Sequence, residues 1–299
     1  MQKREPVSRG ASRRRARYMR SVQRYRILSI VAFCMFLVLM ALYIGTIIFQ
    51  NHNDNQQDKL RDLYHGQMAW MPGSFLFPSA SAEEPEGDIP EHFMSLWEIN
   101  HDLIGWILAG DAVDEPVVYR DNEFYMDHSF YKSYSVSGTV FADEENQAWD
   151  TDPYVILYGH NMRNDTMFGK LDRYRDPEYM KQNSIVTFDT IADGQQEQYV
   201  PFAVFDASMK KKDSNYFYLR RFETWRSGDA EQIQAFLEEI VGRSRLEIPI
   251  DVTPEDRILA LVTCSYDDPD GRLMLFCRAL REGETAEGVQ AQMQACAKR

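Results

Sequence analysis

The sequence predicts a mainly β domain, a barrel or sandwich with flanking helices, set behind an N-terminal membrane helix. Three observations carry this. Ile27 to Phe49 read ILSIVAFCMFLVLMALYIGTIIF, with no charged side chain in 23 positions, enough at the helical rise to cross a hydrocarbon core of roughly 30 Å. Short runs of strand character then recur from Ile104 to Arg281, divided by Gly, Asp, Asn and Pro turn residues. Between them, Met167 to Tyr174 and Asp229 to Val241 space their apolar residues as helices do.

Residues 1–26 hold ten basic side chains and one acidic one, a local balance of +9, whereas the whole chain carries −13. The remainder therefore carries −22, which leaves no basic surface for phosphates and excludes nucleic-acid binding by the main domain. The arginine-rich end reads as a cytoplasmic tail that sets topology by the positive-inside rule and is attracted to anionic lipid. Residues 27–49 form an uncleaved anchor, because the apolar run ends on bulky Ile47, Ile48 and Phe49 rather than on a small-residue cleavage site. Everything beyond is expected outside the cell, on a single-pass membrane protein.

Residues 50–90 include Pro72, Gly73, Pro78 and SASAEEPEGDIP, a composition that buries little and reads as a tether reaching roughly 35 Å root-mean-square, with a short helix near Asp58 to His65. The domain proper is expected at 91–283. Glu91 to Ile107 suggests a short amphipathic helix, a turn and a strand at Ile104 to Leu108. Further strands are expected at Pro116 to Tyr119, Gly138 to Phe141, Tyr154 to Tyr158, Ser184 to Thr190, Glu197 to Ala207, Arg257 to Cys264 and Arg272 to Arg281. Residues 284–299 read as a polar, loose tail.

The cysteines Cys34, Cys264, Cys277 and Cys296 form no CxxC pair, so neither a metal cluster nor a disulfide framework is supported. In RILALVTCSY, Cys264 stands at the C-terminal end of its strand, an accessible position unlike mid-strand Cys277; a cysteine amid apolar residues is otherwise a small core hydrophobe. A nucleophilic thiol needs a proton-transfer partner and an oxyanion stabiliser. In YVILYGHNM, His160 emerges where a buried strand gives way to a loop, although it could equally be a surface or satisfied core histidine. Arg272 opens the strand GRLMLFCRAL and needs an anionic partner, which Asp267, Asp268 or Asp270 would also supply.

YGHNM followed by MFGKL, LVTCSY, and GR ahead of an apolar strand occur in the order His, Cys, Arg, and in this the sequence resembles the sortases. INHDLIGWI, PVVYRDNEFYMDHSF, SGTVFAD and the N-terminal anchor resemble class B, over Ile99 to Leu280. The resemblance implies a closed β-barrel preceded by a helical segment, with a long helix before the cysteine strand, which Asp229 to Val241 fits. It implies that Cys264 is the nucleophile, His160 the general acid and base and Arg272 the residue holding the substrate carbonyl. Asn122, Met126, Tyr216, Phe217 and Thr263 are implied at the substrate groove. The sequence departs from the commonest class pattern at Val262, where a small polar residue often stands, and at Ser265, where an acid can follow; this bears on fine sequence preference.

The implied activity is a cysteine transpeptidase that cleaves a C-terminal sorting motif, NPxTN-like or [SP]PxTG-like, after its Thr and joins the acyl group to a peptidoglycan or pilin amine. Its partners would be secreted proteins bearing that signal, and no metal or other cofactor is required. A hydrolytic cysteine protease using the same pair is an alternative, although the papain-like order places Cys before His. Another is a non-catalytic bitopic envelope protein with Cys264 buried.

Overall fold

The computed structural model of the chain describes residues 9–66, 89–146, 149–192, 196–264 and 271–299. They fall into two compact units, Met1–Gln56 and Gln57–Arg299. Helix α1 spans Arg9–Tyr64. Its stretch Tyr25–Ile48 is long and apolar enough to cross a membrane, with a mean hydropathy of 2.8, and a helix satisfies its own backbone groups there. The helix stops at Gly66, whose φ of 68° is the left-handed C-terminal conformation that glycine adopts without steric cost. The helix foreseen near Asp58 to His65 is therefore present, but not as part of a tether: in the second unit Leu60 and Tyr64 are buried with Phe93 and Trp106. Residues 67–88 of the expected linker lie outside the described residues.

The second unit is built on a closed barrel. A 3-10 turn, Glu91–Phe93, runs into α2, Met94–Ile99. The strands β1 (Leu103–Ala109), β2 (Val113–Val118), β3 (Val140–Ala142), β4 (Tyr154–Tyr158), β5 (Val186–Thr190) and β6 (Gln196–Ser208) follow. Helices α4 (Phe222–Ser227) and α5 (Ala230–Arg243) come next, and after them β7 (Leu246–Glu247), β8 (Ile258–Cys264) and β9 (Gly271–Ala279). The barrel order is β1-β2-β3-β4-β8-β9-β6-β5, closed by β5 on β1. The pairs β2–β3 and β4–β8 are parallel; the other barrel pairs are antiparallel.

Strand β8 is apolar without a break because both of its faces are buried: Ile258 to Val262 are all inaccessible or nearly so. The amphipathic helix α5 buries Ile233, Phe236, Leu237 and Ile240 in the same core, and Asp229 caps it by accepting from the backbone N–H groups of Glu231 and Gln232 at 3.1 and 3.2 Å.

Two expectations need correction. Met167 to Tyr174 is not a helix: Met167 has a φ of 54°, and a 3-10 turn begins only at Leu171, running to Arg175 ahead of α3 (Pro177–Gln182). Met167, Leu171 and Tyr174 are all buried, so their helical spacing arises from a loop and a turn that press on one core. The tail is not loose either. Helix α6 (Ala286–Met293) buries Val289 and Met293, and β10 (Ala297–Lys298) pairs with β7. Its link to the barrel is the wholly buried Arg278 on β9, whose Nη1 and Nη2 donate to the Glu284 carboxylate at 2.7 and 2.8 Å and whose Nε donates to the Asp251 carbonyl at 2.7 Å.

Those bonds hold the Glu284 carboxyl down at about 2 against an ordinary 4.5. Because the folded value lies below the unfolded one, the stabilisation is complete above about pH 4.5 and is lost as the pH falls toward 2. Glu284→Gln should therefore cost roughly 2 to 3 kcal/mol at pH 7, with the difference from the parent shrinking below pH 4. Urea unfolding of both proteins across that pH range measures it.

Candidate active site

The site is assembled by strand register. Tyr158, the last residue of β4, pairs in parallel with Val262 of β8, and the Gly159 N–H still donates to the Val262 carbonyl at 3.1 Å. Two residues on from that pair along the two parallel chains stand His160 and Cys264. On the other side of β8, Cys264 is paired directly with Arg272 of β9. Residues separated by about a hundred positions are thus brought to one rim of the barrel. Residues 265–270 lie outside the described residues, and with them Ser265 and the alternative partners Asp267, Asp268 and Asp270; none of the described carboxylates pairs with Arg272, whose Nη1 donates to the Gly271 carbonyl at 3.0 Å.

A cleft of about 310 Å³ opens at this rim, lined by His160, Arg272, Thr263, Asn122 and Met126 among others. His160 Nε2 donates to the Met126 carbonyl at 2.6 Å; since a carbonyl only accepts, Nε2 carries the proton in this arrangement. Asn122 is held by accepting the Glu144 N–H at 3.0 Å through its Oδ1. Thr263 is 2% exposed, and its hydroxyl has no partner among the described residues.

Two expected groove residues lie elsewhere. Phe217 is buried in the core, its ring stacked on Phe236 with centroids 5.6 Å apart and edge-on to Phe205. Tyr216 is outside the cleft lining; it forms a bridge with Ser208, and its carbonyl accepts from Arg243 at 2.9 Å. From the same connection it is Met209, directly after β6, that reaches the cleft.

The sequence also did not single out Tyr158, Thr139 and Phe141, which complete the apolar wall. Behind that wall lies a buried clasp. The wholly buried Asp143 receives Nε and Nη2 of Arg220, both at 2.9 Å, and the Tyr158 hydroxyl at 2.8 Å. Burial and the Asp143 charge push the Tyr158 phenol well above its ordinary value, so it is a neutral donor. Arg220 belongs to the connection between β6 and α4, and a bidentate guanidinium–carboxylate pair is directional as well as strong. The clasp therefore fixes that connection to the strands beside His160. Its one sequence trace is SGTVFAD, which ends on Asp143. Among the described residues no group of His, Cys, Asp or Glu side chains converges to hold a metal ion.

Comparison with known proteins gives the family. The sortase domain family matches residues 111–280. Sortase B of Staphylococcus aureus is 30% identical over 193 residues, which cover 63% of this chain and 75% of that protein. The solved structure of Clostridium perfringens sortase B is 32% identical with a TM-score of 0.53, covering 62% of this chain and 98% of that one. At the level of fold alone, sortase B of Bacillus anthracis in complex with AAEK1 is 22% identical with a TM-score of 0.60, covering 79% and 100%. With the family matched over more than half of its length, and with a barrel that carries the His, Cys and Arg motifs to one rim, this chain belongs to the sortase family, in its class B, and is a cysteine transpeptidase.

Proposed function

We propose that this chain is a membrane-anchored transpeptidase that cleaves a C-terminal sorting motif, NPxTN-like or [SP]PxTG-like, after its Thr and transfers the acyl group to a cell-wall or pilin amine. The register that brings His160, Cys264 and Arg272 to one rim of the barrel is the observation that supports this reading. The Cys264 thiolate attacks the Thr carbonyl, the peptide C–N bond breaks and a thioester forms. The departing amine takes a proton from His160, which later receives one from the incoming amine. The bond from Nε2 to the Met126 carbonyl favours Nδ1 as the nitrogen that makes both transfers. Arg272 holds the oxygen on which negative charge develops, as a preorganised donor in a partly enclosed site.

The cleft is apolar where Met126, Phe141, Tyr158 and Met209 line it, and polar at Asn122 and Thr263, which suits an extended peptide with a small number of hydrogen bonds. The Thr263 hydroxyl, without a partner among the described residues, lies at the wall of the same cleft. The Tyr25–Ile48 stretch and the arginines before it support an anchor with a cytoplasmic N-terminus and an extracellular domain.

The reading is tested with the full-length chain in detergent, a fluorogenic sorting peptide and an added amine. Cys264→Ala should form no thioacyl adduct by mass spectrometry and no product. Arg272→Lys should lose roughly 100- to 1000-fold in kcat, because an ammonium cannot reproduce the guanidinium fork; near-normal kinetics would remove Arg272 from the oxyanion role. For the cleft, Met209→Ala should raise the KM for the peptide with little change in Tm. Phe217→Ala should instead cost about 3 to 5 kcal/mol of stability, measured by urea unfolding, with the ratio of hydrolysis to transfer unchanged below the transition.

A further inference from the structure

The end of α1 carries charged and aromatic groups that the reaction does not use. The Tyr64 ring lies on the Trp106 indole, with centroids 4.4 Å apart and planes within 5°, and its hydroxyl donates to Asp189 at 2.8 Å. One turn earlier, Arg61 donates through Nε to the Asp114 carbonyl at 2.9 Å and through Nη2 to Glu115 Oε1 at 2.5 Å. Glu115, on β2, is 1% exposed. Burial pushes its carboxyl up to about 7 while Arg61 pulls the other way, so without the guanidinium the carboxyl would take up a proton and lose the ionic contact that fixes its position.

The same Oε1 accepts the Met167 N–H at 3.2 Å. Met167 is a non-glycine residue in left-handed conformation, as is Asp165, with φ values of 54° and 65°; such residues persist where the surroundings over-determine them. Met167 is bridged to Asn161, and the next N–H, that of Phe168, donates to the His160 carbonyl at 3.0 Å. The Phe168 ring fills the space over Gly159, where a Cβ would come within 2.8 Å. The loop that leaves β4 through His160 is thus closed at its far end by a carboxylate that Arg61 holds.

We propose that Arg61 and Glu115 are positioning residues for transpeptidation: Arg61 holds the Glu115 carboxylate, Glu115 holds the Met167 N–H, and this fixes the loop whose first residues are His160 and Asn161. The inference rests on reading His160 as the proton-transfer group. The end of α1 is then a working part of the catalytic unit.

Full-length wild type, Arg61→Gln, Arg61→Lys, Glu115→Gln, the Arg61→Gln/Glu115→Gln double variant and His160→Ala are compared in detergent, with peptide and amine, below the lowest Tm of the set. The single variants Arg61→Gln and Glu115→Gln should each lower kcat roughly tenfold, since sub-ångström misplacement of a reacting group is enough for that, with KM within about twofold of wild type. The double variant should lose no more than the worse single one, because the two act in series. Arg61→Lys, which keeps a cation opposite Glu115, should recover most of the loss. Wild-type kcat in Arg61→Gln, multiplied losses in the double variant, or no rescue by lysine would overturn the proposal. The Arg61 side chain is 27% exposed; the Tm of each variant is measured first and only folded protein is compared, so the test does not depend on Glu115→Gln. Activity retained in His160→Ala would defeat the reading of His160 instead, and so separates the two failures.

Discussion

The parallel pairing of β4 with β8 is the constraint on which the site depends. Two parallel neighbours cannot be joined by a hairpin, and here the crossover includes β5, β6, α4, α5 and β7 before β8 begins at Ile258. The crossover closes the barrel, because β5 pairs with β1 and β6 with β9. Once Tyr158 is opposite Val262, the two strands deliver His160 and Cys264 to the same rim, and the β8–β9 ladder adds Arg272. A shift of one residue between β4 and β8 would turn every side chain of one strand to the other face. Because β8 is apolar on both faces, what resists that shift is the close packing of side chains of unequal size, such as Ala260 between Leu259 and Leu261.

Buried ion pairs hold the irregular connections to this frame. Asp143 joins the β6–α4 connection to the cleft wall through Arg220 and Tyr158. Arg278 joins the C-terminal segment to β9 through Glu284. Glu115 joins the His160 loop to the end of α1 through Arg61. In each case one partner is wholly or almost wholly buried. Such a charge contributes little net stability when paired but is expensive when abandoned, and a connection tied by one has a single low-energy position. That is the property a cleft needs when its walls come from loops.

How much of this could be read in the sequence follows from where the information is local. Strand β4 was legible to the residue and β8 and β9 to within one or two, because runs such as YVILY and ILALV have no polar interruption. Closure into a barrel was not legible from spacing, which fits a sandwich equally; it came with the ordered His, Cys and Arg motifs. Helix α6 and β10 were missed because the buried residues of this segment, Val289 and Met293 in the helix and Cys296 just before the strand, are scattered among polar ones, so the mean composition hides them. The helix at the end of α1 was foreseen but its burial was hidden in the same way, with Leu60 and Tyr64 one turn apart in a polar stretch. Phe217 was misplaced because which residue of an irregular connection turns inward is set by tertiary contacts, here the bridge between Ser208 and Tyr216, and no period in the sequence encodes it.

A crystal structure of the chain after reaction with a sorting-motif peptide whose scissile amide is replaced by a thiol-reactive ketone would show whether the rim of β4, β8 and β9 is where the reaction takes place. A single covalent bond to Cys264 is expected, with the former carbonyl oxygen within hydrogen-bonding distance of the Arg272 guanidinium and His160 beside the leaving-group side. Attachment at another residue, or an adduct on Cys264 whose oxygen is turned away from Arg272, would contradict it.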